Sequence, residues 1–218
     1  VLEKYPDGHY LLYCGTLRQG VCLLFSTKDF NTQSYLSVSN VLNLIGNRLS
    51  VYAFFGKATY MGREFTTLYV GSSYDGRPLE YSGDAVSARK LDQNIDGRFN
   101  ISYLFQAGDS KSGIDIDQMH KNNFIVRYIY GFEHQGFSYF LTVQLDGLYD
   151  ERYSSRLVRV CQGDHQFYSY TEVQLSCKKP NAFGKYYNIA LAAHFGRIGS
   201  DVAAKFSLNS KDRMLYIL

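Results

Sequence analysis

No stretch of this sequence stays apolar for the roughly 18 to 20 residues a bilayer-crossing helix requires, so none is expected. The opening VLEKYPDGHY has neither the basic start nor the apolar core of a secretory signal, so no targeting signal is expected within this segment. An excess of one charge is also missing. Lys and Arg total 23 against 20 Asp and Glu, with no basic run, which argues against a nucleic-acid partner or direct membrane insertion. The sequence lacks G-x-S-x-G, H-E-x-x-H, a phosphate-binding glycine loop and any Cys/His metal spacing, and its five His are scattered. Asp115-Ile116-Asp117 lacks the later ligands of a calcium loop and reads as a solvated strand end. Catalysis, a metal and a cofactor are therefore not expected.

What is there is aromatic and glycine-rich: 20 Tyr, 15 Phe and 19 Gly against three Pro and no Trp, a composition suited to many short strands and turns. Strand-like runs recur as YLLYCG, GVCLLF, RLSVYAFF, FTTLYVGSS, FIVRYIYGF, FSYFLTVQL, RLVRVC, SYTEVQL, YNIALAAHF and RMLYIL. In the sixth of these, Phe137, Tyr139, Leu141, Val143 and Leu145 share one face against Ser138, Thr142 and Gln144. Only SDVAAKFSLN, 200–209, reads as helical, with Ser200 placed as N-cap and Asp201 at the positive end of the dipole. The chain is all-β with one short helical insertion. Its hairpins arrive in units of about 40 to 60 residues, the cadence of four-stranded propeller blades. Three to four blades fit, so an incomplete propeller spanning 1–218 is expected, with the remainder of the domain outside the chain.

Four cysteines are present. Cys14 and Cys22 flank a turn centred near Arg18 and fall opposite each other, so they form either a short cross-strand disulfide or a pair of buried thiols. Cys161 and Cys177 are placed differently. With a turn near Gly163, Asp164 and His165, hairpin register sets Cys161 against Phe167 or Tyr168 and Cys177 against Tyr153, beyond the roughly 7 Å Cα reach of a disulfide. Their partners lie elsewhere.

The stretch SRLVRVCQGDHQFYSYTEVQLSC, preceded by FIVRYIYGFEHQGFSYFLTVQL, resembles the middle of a plexin sema domain, where YIYGF…YFLT.Q leads into SR..R.C..D…YSY.E.P..C. LLYCGTLRQGVC is similar to LLYCGSL.QG.C, TTLYVGSSYDG with SARKL to FVG…DG…SRKL, and YNIALAAHFGRIGSDVAAKFSLNSKDRMLYIL to Y.L..A…PG..LA..…..DD.LF..F. The four motifs come in order along nearly the whole chain. Departures are Gln174, where the pattern prefers proline, and Arg197-Ile198-Gly199 in place of Lys-Pro-Gly. Semaphorins, which share the fold, usually carry a Trp after the R.C..D segment, and hepatocyte-growth-factor receptors usually lack the aspartate at Asp164.

The resemblance implies a seven-bladed sema propeller in which Cys14 bonds Cys22, while Cys161 and Cys177 bond segments beyond Leu218. It implies the ectodomain of a single-pass plasma-membrane receptor that recognises semaphorins for axon guidance and cell-migration signalling, with a co-receptor or receptor homo-oligomer as further partner. The alternatives are a growth-factor-receptor tyrosine kinase's sema domain, a semaphorin itself, or, from another class, a secreted propeller enzyme or lectin. Sialidase-type propellers need Asp-box motifs ending in Trp, which this chain does not contain. Edge-on docking through the third and fourth blades would fall between about Ser50 and Gln162. Within it, YLFQAGDSKSGID is the candidate contact, with Tyr103 and Phe105 as anchors and Asp109 and Lys111 as charged rim residues. Asn100-Ile101-Ser102 is a glycosylation sequon. Arg159 reads as a buried or half-buried strand arginine, Tyr168 and Tyr170 as sharing a strand face with Glu172, and Gly15, Gly20 and Gly71 as turn formers. A partial propeller leaves open edges, so 218 residues are expected to fold poorly alone.

Overall fold

The computed structural model describes residues 1–15, 22–30, 32–35, 44, 50–78, 82–93, 99–178, 186–209 and 211–218. The turn near Arg18, with Gly20, lies outside the described residues. Three antiparallel meanders follow one another. The first sheet contains β1 (Leu2–Lys4), β2 (Tyr10–Cys14), β3 (Cys22–Ser26) and β4 (Thr32–Tyr35), paired in that order. The second contains β5 (Val51–Tyr60), β6 (Arg63–Ser72), β7 (Val86–Gln93) and β8 (Phe99–Tyr103). The short hairpin β9 (Gln106–Ala107) and β10 (Ser110–Lys111) follows, and β11 (Gly113–Ile114) returns to β7. The third sheet is β12 (Arg127–His134), β13 (Phe137–Leu145), β14 (Tyr153–Cys161) and β15 (Thr171–Gln174). A two-stranded sheet of β16 (Ala193–Arg197) and β17 (Arg213–Ile217) encloses helix α1 (Ser200–Phe206). This is part of a β-propeller: three blades and two strands of another.

The cores lie between consecutive sheets, which decides the strand chemistry. On β5 and β6, Ala53, Leu68 and Val70 pack toward Leu12 and Leu24 of the first sheet, whereas Phe54 and Tyr69 pack toward Tyr128, Phe140 and Val158 of the third. On β13, Phe140 faces back into that cluster while Leu141 and Val143 face forward to Ala190. A strand buried on both faces needs side chains that satisfy both neighbours. Accordingly Ser138, Thr142 and Gln144, the polar face of the alternating pattern, are buried as fully as Leu141.

Glycines let the blades interlock. A Cβ on Gly71, the penultimate residue of β6, would overlap the Tyr128 ring, whose Cγ would be 2.8 Å away, and one on Gly131 of β12 would overlap the Phe54 ring of β5. The second and third sheets therefore each seat an aromatic ring on the other's glycine. Gly71 is thus no turn former: it is a close-approach glycine inside a strand.

Three other expectations are corrected. Helix α1 is capped by the extended Gly199 rather than Ser200, whose hydroxyl turns to Asp201 instead. Tyr168 and Tyr170 sit in turns ahead of β15, which begins only at Thr171. The run YNIALAAHF enters a strand only at Ala193, because residues 187–192 pass over the third sheet, where Ala190 N bonds Ser155 Oγ at 2.7 Å.

Candidate ligand-binding loop

The candidate loop interrupts a sheet edge. β8 pairs with β7 over Arg89–Gln93, and β11 pairs with the same side of β7 over Val86 and Ser87. Between them residues 104–112 leave the edge as the β9–β10 hairpin. Leu104 N bonds Ala88 O and Ala88 N bonds Ser112 O, both at 3.0 Å, so the excursion is anchored where it leaves and where it returns. At its tip Gly108 takes φ +57°, where a Cβ would meet open space, and Gln106 to Asp109 are exposed.

The four site residues play unequal parts. Asp109 is exposed. Phe105 packs edge-on against His165 with ring centroids 4.7 Å apart, and both rings lie near Tyr60 at the β5–β6 tip. Gln166 Nε2 donates to Ser110 Oγ at 2.8 Å and the Ser112 hydroxyl donates to His165 O, so the loop is also held by the next blade. Tyr103 and Lys111 share a buried carboxylate: the Tyr103 hydroxyl donates to Asp84 Oδ2 at 2.6 Å, and Lys111 Nζ pairs with Asp84 Oδ1. Arg89 Nη2 reaches the same carboxylate at 3.4 Å, and its guanidinium lies 3.4 Å from the Tyr103 ring centroid.

Asp84 and Arg89 are 3% and 2% exposed, so their charges are sustained by one another and by these partners. Burial pushes the Tyr103 phenol up and pulls the Arg89 guanidinium down. For Lys111 burial acts downward, but the Asp84 carboxylate outweighs it and the ammonium is held above its ordinary range.

The buried strand arginine is therefore Arg89 and not Arg159. Arg159 is exposed, with its guanidinium 4.6 Å from the Phe137 ring centroid. Both sit mid-strand, and what buries Arg89 is the presence of Asp84 and Tyr103. A second polar cluster borders a cavity of about 190 Å³ between the second and third sheets, lined by Val86, Ile116, Tyr128, Gln144, Tyr170 and Glu172 among others. Glu172 accepts from Gln144 Nε2 at 2.6 Å, Arg156 Nη1 at 2.8 Å and the Tyr170 hydroxyl. Its hydrogen bonds are internal, and the cavity is smaller than the roughly 300 Å³ of an ordinary ligand pocket.

Asp115, exposed as expected, pairs with Lys121 Nζ. Among the described residues no three His, Cys, Asp or Glu converge as a metal site, and no helix is long and apolar enough to cross a membrane. Cys14 and Cys22 are direct partners across β2 and β3 and form a disulfide. Cys161 and Cys177 are free. The β14–β15 register aligns Cys161 with the Ser169 region, Cys161 N bonding Ser169 Oγ at 3.0 Å, close to the position expected. Asn100 is half-buried on β8, opposite Asp92.

These sheets define the class: successive antiparallel blades of a sema-type propeller, with a looped-out edge in the second. No protein-family profile matches the chain. Zebrafish plexin-A4 is 31% identical over 238 residues, covering 99% of this chain and 12% of the relative, and human plexin-A2 is 29% identical over 95% of this chain. A solved plexin A4 extracellular region superposes with a TM-score of 0.81 at 28% identity, covering 99% of this chain and 24% of that one. The fold extends to fruit-fly semaphorin 1a, with a TM-score of 0.55 at 16% identity. The chain is thus similar to the sema region of plexins over nearly its whole length. It spans only about an eighth of the length of the curated relatives it matches.

Proposed function

We propose that this segment belongs to the extracellular ligand-recognition propeller of a plexin-type single-pass receptor at the plasma membrane and takes part in binding semaphorins. The observation that carries this reading is similarity to plexin extracellular regions along nearly the whole chain. The contact is assigned to the 104–112 excursion, because exposed loops on a rigid scaffold are where binding residues collect. Asp109 meets the partner directly, and Lys111, 33% exposed, offers the remaining face of its ammonium. Phe105 and Tyr103 brace the loop from below. Recognition, not catalysis, is the activity assigned. Cys161 and Cys177 are assigned partners in parts of the receptor outside this chain. Asn100 is assigned a glycan, which would blunt the β8 edge against pairing with another chain.

The test is surface-plasmon binding of the complete receptor ectodomain to a panel of semaphorin ectodomains, with and without Gly108→Asn. That substitution completes a sequon with Asp109 and Ser110, at a left-handed position that Asn tolerates and where added atoms meet open space. Semaphorin binding abolished by the glycan in a folded protein is expected. No binding to any semaphorin would transfer the segment to the growth-factor-receptor relatives, and binding indifferent to the glycan would remove the loop from the interface.

A further inference from the structure

Both ends of the candidate loop converge on one residue. Tyr103 precedes the loop and Lys111 closes it, 8 residues later by their numbers, yet the hydroxyl of one and the ammonium of the other meet the two oxygens of Asp84. Arg89 closes the carboxylate from the sheet side, its Nε donating to Ser87 Oγ at 3.1 Å. Gly113, just after the loop, lets the backbone approach the carboxylate closely: a Cβ there would lie 2.8 Å from Asp84 Oδ2 and 3.2 Å from Val86 O. Asp84 itself stands outside the loop, just ahead of β7, and is too buried to meet a protein partner.

We infer that Asp84 is the positioning residue of the ligand loop: it holds 104–112 in the one conformation that docks, so the semaphorin meets a preset surface. This inference rests on the reading of the loop given above. Without the carboxylate, the Tyr103 hydroxyl would lose its acceptor, and Lys111, already 33% exposed, would lose the anion that holds its ammonium and leave for solvent. The loop would then sample open forms, and only the closed fraction would bind. The loss would fall on association, because the complex once formed has the same contacts.

The experiment compares wild type and Asp84→Ala in the complete ectodomain. Hydrogen exchange is followed at Phe105 and Ser112, whose amides bond Ser112 Oγ and Phe105 O inside the loop. Removing one partner of a buried ion pair weakens closure by about 10²-fold or more. Loop protection is expected to fall by that order while β12 to β14 keep theirs. Affinity for the semaphorin bound by wild type is expected to drop tenfold or more, in association rate with dissociation nearly unchanged. If the alanine variant does not fold, Tyr103→Phe, which deletes only the hydroxyl, should give the same pattern at smaller amplitude. Unchanged loop protection would overturn the inference. So would lost protection with affinity within twofold of wild type, while the Gly108→Asn glycan still blocks binding. If neither the glycan nor Asp84→Ala affects semaphorin binding, the loop assignment itself fails and the inference falls with it.

Discussion

Replacing Gly71 by alanine should destabilise the propeller by about 1 to 5 kcal/mol, against the usual direction for that exchange in a strand. Gly71 lies in β6 and does not take a positive φ, so alanine fits its backbone. On conformational grounds alone the substitution would stabilise by about 0.4 to 1 kcal/mol, through loss of unfolded-state freedom. The opposing effect comes from the next blade. The new Cβ would be 2.8 Å from Tyr128 Cγ, with two ring atoms nearer still, where ordinary contact begins near 3.4 Å. Tyr128 has little room to retreat. It is buried, its ring meets Phe140 edge-on at 5.7 Å between centroids, and its hydroxyl donates to Ala85 O. Overpacking costs about 1 to 3 kcal/mol. Displacing the ring takes the buried Tyr128 hydroxyl from its acceptor, for about 1 to 3 kcal/mol more.

Guanidinium unfolding of the complete ectodomain should therefore show a lower midpoint for Gly71→Ala, with β6 and β12 losing hydrogen-exchange protection first. Tyr128→Ala supplies the control. If the ring is the obstacle, the double variant should be at least about 2 kcal/mol more stable than the sum of the two single effects predicts. A single variant within about 0.5 kcal/mol of wild type, or strict additivity, would refute the account of how these blades interlock.

Other consequences are open to direct measurement. Opening the Cys14–Cys22 disulfide with paired serines should cost about 2.5 kcal/mol from the entropy of its short loop, read as a fall in unfolding midpoint; no loss would mean that the first sheet is fixed by packing alone. Tyr69, Tyr128 and Tyr170 are kept protonated well above the ordinary phenol range, each chiefly by burial. Their folded pKa values are raised, so their stabilisation is complete below the unfolded value of about 10 and is lost as pH rises beyond it, by up to about 1.4 kcal/mol per pH unit for each. Tyr69→Phe should make that alkaline decline shallower by one proton's share in denaturant midpoints, and an unchanged slope would contradict it. Asp164 is a depressed case: burial acts upward, but hydrogen bonds from Ser169 and Gln166 outweigh it. Its contribution is present above the unfolded carboxylate value of about 3.9 and lost as pH falls through the lower folded one. The stability gap between wild type and Asp164→Asn should therefore narrow on acidification, and a widening gap would reverse the assignment.

The aromatic strands were legible because their chemistry is local. Phe137–Leu145 alternates and carries β-branched and aromatic residues, and it forms a strand with those bounds. β7 was missed as a strand: VSARKLDQ mixes Arg, Lys and Asp into the run, and what makes it strand is pairing with β6 on one side and with β8 and β11 on the other. Position relative to other blades was not legible either. Arg159, set in the apolar run LVRV, is the exposed one, Arg89, beside Lys90, is the buried one, and Gly71 looks like a turn until Tyr128 is brought against it. That Cys14 and Cys22 face each other was legible because hairpin arithmetic sees both residues at once, while the bond itself followed only from the resemblance. The loop's place could be marked in sequence, but Asp84 could not, since it is 27 residues from Lys111 and acts only across the fold.

The same separation would let this fold keep its blades while the loop proposed to bind ligand varies. The interlock of Gly71 with Tyr128 and of Gly131 with Phe54 lies inside the sheets and tolerates little. The 104–112 excursion leaves and rejoins one edge through backbone bonds to Ala88, so the tip between can vary without disturbing β7. What must be kept is its base: the Asp84 carboxylate with Tyr103, Lys111 and Arg89, and the contacts that His165 and Gln166 of the next blade make with Phe105, Ser110 and Ser112. A substitution at Asp109 therefore alters what the loop presents, whereas one at Asp84 alters whether the loop presents anything. The two should separate in kinetics, the first changing dissociation as well as association and the second association alone.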